Sequence, residues 1–363
     1  MNSLALIIAQ VNLKKLFIFT FPLFLVLGSL ALFLVSPQSE IFNTEEYSLI
    51  SNIVFFNQAH ILLTFFLIFS VDHFKFWRKT SKVMGMPVDV HMAIAFMVFF
   101  FVVLTFFYDG FAMGRPKSIY LYFYLYQIIG LHHFLYQSFG FSSHLSRGYG
   151  LTTSKGTDSL ISNQVKNEKF AVHFVFLSFF IVTTAHRFFS DDQQFFNWAL
   201  GGAVIIAVFS LGAIVKSILE LPDLELKKRK LIFSARYLLY PFNALSPWLA
   251  FAAIIIHGWE YIYFTDHAMK QGHGQKRLSK KHFLIFLVLE FIFIVPLLFI
   301  NSNTARDIVG LEKSTTYFIM AGLVNACILC HFYMDRMAFS RKYNSESHRQ
   351  EKFNQISIDL YKS

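Results

Sequence analysis

The chain has 363 residues, of which 55% are hydrophobic and 15% are charged, whereas about 25% of the residues in an ordinary soluble domain are charged. This composition excludes a disordered chain and a collagen-like chain, and two cysteines are too few for a disulfide scaffold. The formal net charge of +10 does not indicate a nucleic-acid partner, because basic residues in a membrane protein first mark its cytoplasmic loops.

Nine segments are apolar enough to be candidate membrane spans, since about 20 apolar residues cross a bilayer core. In chain order they are Leu16–Val35, Ser48–Val71, Val88–Tyr108, Ser118–Phe141, Phe170–Phe189, Phe195–Leu219, Tyr237–Phe264, Phe283–Ile300 and Tyr317–Met337. The first segment lacks an A-x-A-like cleavage site, which favours a retained helix over a signal peptide. The sequence therefore predicts an all-α fold, a polytopic transmembrane helical bundle that forms one integral membrane domain over residues 1–363.

The charges of the loops predict which side of the membrane each loop faces. Residues 36–47 contain three glutamates and no basic residue, whereas the next loop is basic through Lys75, Arg78, Lys79 and Lys82. Because cytoplasmic loops carry the excess of basic residues, we expect the N-terminus and this second loop in the cytoplasm. We expect the membrane to be the inner membrane of a bacterium. Residues 142–168, rich in Ser, Thr, Gly and Asn, are expected to form a flexible cytoplasmic loop.

The stretch 231–264 disturbs this alternation of sides. If it crossed as a plain helix, the basic loop that follows it and the basic tail 338–363 would both face outward, against the charge rule. The stretch contains Arg236, Pro241 and Pro247, and broken backbone at membrane depth is tolerated where it lines a protein-buried or watery cavity. We interpret it as a broken or re-entrant segment, and predict about eight spans besides it, or nine if all segments cross. The tail is then cytoplasmic.

Histidine is the unusual residue, with 14 copies, many of them within or at the ends of the predicted spans. Ionisable groups are rare there and are candidates for function. The residues predicted to bind metal lie between the midplane and the cytoplasmic ends: His60, Asp72, His73, His132, His133, His257, Glu260, His331 and Asp335. His257 and Glu260 are three residues apart and His331 and Asp335 four apart, so each pair shares a helix face. Imidazoles with carboxylates suit iron, zinc or manganese better than copper(I).

Alternatives remain for single residues. A histidine in a membrane helix can simply hydrogen-bond to a neighbouring helix, and Asp335, next to Arg336, can form an interfacial ion pair. Cys327, Cys330 and His331 match the C-x-x-C-H pattern of c-type haem attachment. Because the pattern lies inside an apolar span, we interpret the cysteines as small packing residues.

The clustered histidines at the cytoplasmic ends of spans resemble those of the histidine-rich non-haem iron enzymes of membranes, a class that includes fatty-acyl desaturases, hydroxylases and bacterial carotenoid-cleaving oxygenases. The resemblance is to the class only: His132 and His133 are the one adjacent pair, and the H-x-x-x-H and H-x-x-H-H boxes of desaturases are absent from the sequence. It implies an oxidoreductase with one or two iron ions that acts on a lipid or other hydrophobic molecule and receives electrons from a donor protein at the cytoplasmic face. Two other hypotheses stay open: a haem-binding electron-transfer protein and a transporter of metal ions or protons.

Overall fold

The structure is a computed structural model of the chain that describes residues 19–35, 61, 81–153, 158–270, 315–339 and 347–362. About 90% of these described residues are helical, which confirms the all-α class for them. Their nine α-helices are α1 (Phe21–Val35), α2 (Val88–Phe107), α3 (Pro116–Thr153), α4 (Asp158–Phe188), α5 (Gln193–Leu219), α6 (Leu224–Ser234), α7 (Pro247–Lys270), α8 (Thr315–Phe339) and α9 (Ser347–Lys362). A short antiparallel hairpin, β1 (Lys82–Val83) and β2 (Met86–Pro87), precedes α2.

Three of the described helices are long and apolar enough to cross a membrane: Val88–Ala112, Ser159–Phe188 and Gln193–Leu219. On α5, the side chains of Trp198 and Phe209 are both 75% exposed, as expected for helix surfaces that face lipid. The larger number of about eight spans stays a prediction. One of its segments, 283–300, lies outside the described residues, and of 48–71 only residue 61 is described.

The described helices belong to two compact units. The first unit contains α1, α3 from Leu131 onward, α4 to α6, α7 as far as Phe264 and α9 from Glu351 onward. The second unit contains the hairpin, α2, α3 as far as Gly130, and α8. That the whole chain is one integral membrane domain stays a prediction.

In the first unit, α4 and α5 pack against each other along their lengths. The buried face of α5 includes Ala203, Ala207 and Ser210, and small residues of this kind let two helix backbones approach closely. The Ser178 hydroxyl on α4 donates a 2.7 Å hydrogen bond to the Ala203 carbonyl. At its start, α5 is capped by Asp192, whose carboxylate accepts a 2.9 Å hydrogen bond from the Phe195 backbone N–H.

The break predicted within residues 231–264 is present. After α6 ends at Ser234, two 3₁₀-helices, Ala235–Leu239 and Asn243–Leu245, lead to α7. Proline explains the boundaries, since Pro241 lacks the N–H that a continuing helix needs and Pro247 occupies the first position of α7, where its missing N–H costs nothing. Whether the segment re-enters the membrane stays a prediction.

Residues 142–168 differ from the flexible loop that was expected. Helix α3 continues to Thr153 and α4 begins at Asp158, so the loop prediction is wrong for the described residues of this range. The polar side chains that suggested a loop are used inside the unit: the Ser146 hydroxyl, for example, donates a 2.9 Å hydrogen bond to Gln164, and both residues are buried. A polar sequence here reflects a buried polar contact between helices rather than exposure to water.

The tail 338–363 contains α9, which packs against α3 in the first unit. Gly148 is needed at this crossing, because a Cβ atom placed there would lie only 1.9 Å from the Ser357 carbonyl oxygen. One turn earlier on α3, His144 hydrogen-bonds through Nδ1 to the Ser357 hydroxyl at 2.8 Å. Arg229 of α6 donates a 2.5 Å hydrogen bond to the Tyr361 carbonyl. The cytoplasmic location of the tail stays a prediction.

The second unit is built on the packing of α2 against α8. The imidazole of His91 on α2 hydrogen-bonds to the hydroxyl of Tyr333 on α8, and the Phe99 ring meets the Tyr333 ring edge-on, with centroids 6.4 Å apart. Helix α8 also carries two of the residues predicted to bind metal, His331 and Asp335.

Candidate metal centre and buried charge network

Two of the predicted metal ligands meet in the first unit. His133 on α3 and His257 on α7 have ring centroids 4.9 Å apart at an interplanar angle of 75°, and a ring nitrogen of one lies within 4.8 Å of a ring nitrogen of the other. His257 is fully buried, and the Phe134 ring covers it at a centroid distance of 4.2 Å. The Gln137 side-chain amide donates a 2.9 Å hydrogen bond to the His257 carbonyl and so ties α7 to α3.

The separation of the two rings fits a shared metal ion. Nitrogens that each bind one ion at about 2.0 to 2.2 Å can be at most ~4.4 Å apart, so small side-chain rotations bring His133 and His257 into range. Two imidazoles fill only part of a coordination sphere, since catalytic zinc sites use three protein ligands and structural sites four. The pair therefore fits as part of a metal site.

His132, next to His133, has different neighbours. Its ring stacks on Tyr136 at a centroid distance of 4.3 Å and meets Phe176 of α4 edge-on at 5.0 Å. Successive residues of an α-helix point about 100° apart, so one helix presents His133 to α7 and His132 to α4. Three further predicted ligands, His60, Asp72 and His73, lie outside the described residues.

The carboxylate of Glu260 has a cation of the chain as its partner. It forms a buried ion pair with Arg236, and the Ser138 hydroxyl lies 3.1 and 3.2 Å from its two oxygens. The Arg236 guanidinium in turn lies 3.5 Å from the centroid of the Phe233 ring, a cation–π arrangement. Glu260 and His257 share a helix, as predicted, but the charge of Glu260 is already balanced by Arg236.

In the second unit, His331 and Asp335 face each other one turn apart on α8. Nδ1 of His331 and Oδ1 of Asp335 are 3.6 Å apart, and the side chains are 0% and 4% exposed. This distance is too long for a hydrogen bond but suits an ion pair with a protonated imidazole. Cys327 and Cys330 are both buried and not disulfide-bonded, which agrees with their interpretation as packing residues.

A second buried ion pair, between Lys230 of α6 and Glu168 of α4, was not predicted. Their charged atoms are 2.5 Å apart and both side chains are fully buried. Glu168 also accepts hydrogen bonds from three neutral donors: Ser142 at 2.5 Å, Gln164 at 2.8 Å and Tyr237 at 2.9 Å. Lys230 donates to the Ser146 hydroxyl at 2.9 Å and the Ser142 carbonyl at 3.1 Å.

The electrostatics of this pair follow from its burial. Burial lowers the pKa of the Lys230 ammonium, and the negative charge of Glu168 opposes that shift. The carboxylate and ammonium together are neutral, so the pair does not add net charge to the interior. Glu168 has three neutral donors in addition, and Lys230 has three further acceptors, the oxygens of Ser142, Ser146 and Gln164. The pair therefore meets the conditions under which a buried salt bridge is tolerated.

The sequence reasoning missed this pair for an identifiable reason. Glu168 ends the loop expected over residues 142–168, and Lys230 ends the basic run 227–230, which is typical of a solvated cytoplasmic loop. The available signal was the spacing of polar residues along α3, where Ser138, Ser142 and Ser146 recur every four residues and are all fully buried. Such a spacing on one helix face predicts a polar contact with a neighbouring helix.

Comparisons of the chain with protein-family models, with curated proteins and with solved structures give no match.

Proposed function

We propose that this protein is a membrane-embedded, metal-dependent oxidoreductase that uses non-haem iron and acts on a lipid or another hydrophobic molecule. The observation that supports the proposal is the pairing of His133, which is half-buried, with His257, which is fully buried, since their ring nitrogens lie within 4.8 Å. Burying imidazole nitrogens among apolar groups has a free-energy cost. Metal binding offsets that cost, and neutral imidazole is the most common metal ligand in proteins.

In this proposal His133 and His257 hold the metal, while Phe134 shields the His257 ring from water and Gln137 fixes the backbone of α7. The sequence-based ligand set contains further members whose participation stays a prediction: His60, Asp72, His73, His132, Glu260, His331 and Asp335. Bound iron with open coordination positions would supply dioxygen activation. The electron-donor protein expected at the cytoplasmic face would meet the basic side chains Lys75, Arg78 and Lys79.

The competing hypotheses predict different contents of the purified protein. A haem-carrying electron-transfer protein has a Soret absorption band, whereas a non-haem iron enzyme contains iron without one. A transporter of metal ions or protons retains no stoichiometric iron after dialysis against a chelator, and it moves its ion across liposome membranes.

The test combines elemental analysis and absorption spectroscopy of the full chain in detergent. We expect at least one iron per chain without a Soret band, and loss of that iron in the double variant His133→Ala/His257→Ala. His186→Ala is the matched control, since His186 is exposed and its ring packs 6.3 Å from Phe196. A chain without iron, or a double variant that keeps as much iron as the control, would refute the metal proposal.

A further inference from the structure

The beginning of α7 is buried inside the first unit. Ser246 is its N-cap residue, since it has an extended backbone and its carbonyl accepts a 3.1 Å hydrogen bond from the Ala250 N–H. Pro247 follows at the first helical position, and α4 packs against the 3₁₀-helix Asn243–Leu245 just before the cap. A Ser-Pro sequence is common at the start of a helix. Burial of a helix start is unusual, because the backbone N–H groups of the first turn have no acceptors within the helix.

Three side chains around this cap carry buried polar atoms with no hydrogen-bond partner among the described residues: Asn243 Nδ2, Ser246 Oγ and Trp248 Nε1. Asn243 is 5% exposed and Ser246 2% exposed. A capping serine normally accepts a hydrogen bond from a backbone N–H of the first turn, and the Ser246 hydroxyl does not. The amide nitrogen of Asn243 and the indole nitrogen of Trp248 can only donate, so whatever satisfies them must accept.

The backbone contributes further donors at the same place. An α-helix leaves the N–H groups of its first turn without intrahelical acceptors, which at this helix are those of Trp248 and Leu249. The aligned peptide dipoles add a positive partial charge of about half a unit at that end. The nearest cation in the same connecting segment, Arg236, is paired with Glu260. The start of α7 therefore presents several hydrogen-bond donors and a positive potential.

We propose that the N-terminus of α7 is a binding site for an oxyanion, a carboxylate or phosphate group, held by Asn243, Ser246, Trp248 and the first backbone N–H groups of the helix. Broken helices in membranes present half-helix N-termini to anionic groups in this way. The site is separate from the metal proposal, because His257 lies ten residues further along α7, or ~15 Å along the helix axis. The oxyanion belongs either to the headgroup of an apolar chain or to a free inorganic ion.

The experiment measures binding of radiolabelled oleate and radiolabelled inorganic phosphate to the full chain in neutral detergent, with oleyl alcohol as the uncharged competitor. Saturable binding of oleate that excess oleyl alcohol does not displace identifies a lipid-like carboxylate, and saturable binding of phosphate identifies a free oxyanion. We expect Asn243→Leu and Ser246→Ala each to weaken binding about tenfold or more, since each removes a hydrogen bond to a charged group. Ser178→Ala is the control, because Ser178 is buried on α4 with its own partner, the Ala203 carbonyl, and should bind as wild type does.

Asn243→Asp keeps the proposal testable if the other variants fail to fold. An aspartate is isosteric with this asparagine and places a negative charge beside the helix N-terminus, where it repels an oxyanion. We expect no oxyanion binding in this variant. Three results would overturn the proposal: neither oleate nor phosphate binds saturably to the wild type, oleyl alcohol displaces oleate fully, or Asn243→Leu and Asn243→Asp bind as tightly as wild type.

Discussion

Replacing Lys230 with methionine should strongly destabilise the first unit, because the change leaves the carboxylate of Glu168 buried without its cation. Removal of one partner of a buried ion pair typically costs about 3 to 5 kcal/mol. Glu168 keeps hydrogen bonds from Ser142, Gln164 and Tyr237, so we place the loss in the free energy of unfolding near the lower end, at ~3 kcal/mol. Methionine fills a similar volume, which keeps the cavity contribution small.

The assay is denaturant unfolding of the detergent-solubilised chain, in a cycle of Lys230→Met, Glu168→Gln and the double variant. The double variant leaves no buried charge, so it should lose less stability than the two single losses added together, with a coupling of ~1 to 3 kcal/mol. Glu225→Gln is the control. Its partner Arg229 lies 3.0 Å away in an i, i+4 pair in which the Glu225 side chain is 55% exposed, so the variant should lose only ~0 to 1 kcal/mol. A nearly silent Lys230→Met, or additive losses, would refute the reasoning.

The Glu168→Gln variant should also change how stability depends on pH. Burial lowers the folded-state pKa of Lys230 below its ordinary value of 10.5, and the variant removes the anion that opposes this shift. The folded state then binds fewer protons than the unfolded state between the two pKa values, so stability rises with pH in that window. The deficit of Glu168→Gln relative to wild type should therefore shrink from neutral pH toward the ordinary pKa of lysine, and a deficit that grows would contradict the assignment.

Three further predictions concern other parts of the chain. Gly148→Ala should displace α9, because the new Cβ would lie 1.9 Å from an α9 carbonyl oxygen. Limited proteolysis should therefore cut the tail faster in Gly148→Ala than in the control Gly140→Ala, whose new Cβ would have no other atom within 4 Å. If His331 is a metal ligand held in orientation by Asp335, Asp335→Asn should lower metal affinity about 10- to 100-fold, and equal metal content in Asp335→Asn, His331→Ala and wild type would remove both from the ligand set. The variant Gln355→Cys should react with membrane-impermeant maleimide only after inside-out vesicles are prepared, and reaction in intact cells would place the tail outside.

Local sequence signals predicted much of the fold. Long apolar runs such as Val88–Tyr108 and Phe195–Leu219 are helices in the structure, because length and hydropathy alone determine which segments can cross a bilayer. The two prolines, Pro241 and Pro247, correctly marked the break before α7, since proline acts on its own backbone. The loop expected over residues 142–168 was wrong, because composition does not reveal whether a polar side chain finds a partner on another helix.

In the candidate site, too, local sequence signals predicted some features, while features that depend on packing between helices were not predictable. Clustering of imidazoles at one depth predicted a set of ligands, and the structure brings His133 and His257 of that set together. The sequence could not separate His132 from His133, because their difference depends on which neighbouring helix faces each side of α3. It also could not show that Glu260 pairs with Arg236, since the two lie 24 residues apart on either side of the break. Partners across helices are set by tertiary packing, which local spacing does not contain.

The most direct measurement counts the imidazoles bound to the metal. Pulsed EPR of the nitrosyl adduct of the reduced, iron-loaded protein resolves nitrogen couplings from each coordinated histidine. We predict couplings from at least two imidazoles in the wild type, one fewer in His257→Ala and in His133→Ala, and the wild-type count in His186→Ala. A wild-type spectrum without histidine nitrogen couplings, or one that neither single variant changes, would contradict the assignment of His133 and His257 as metal ligands.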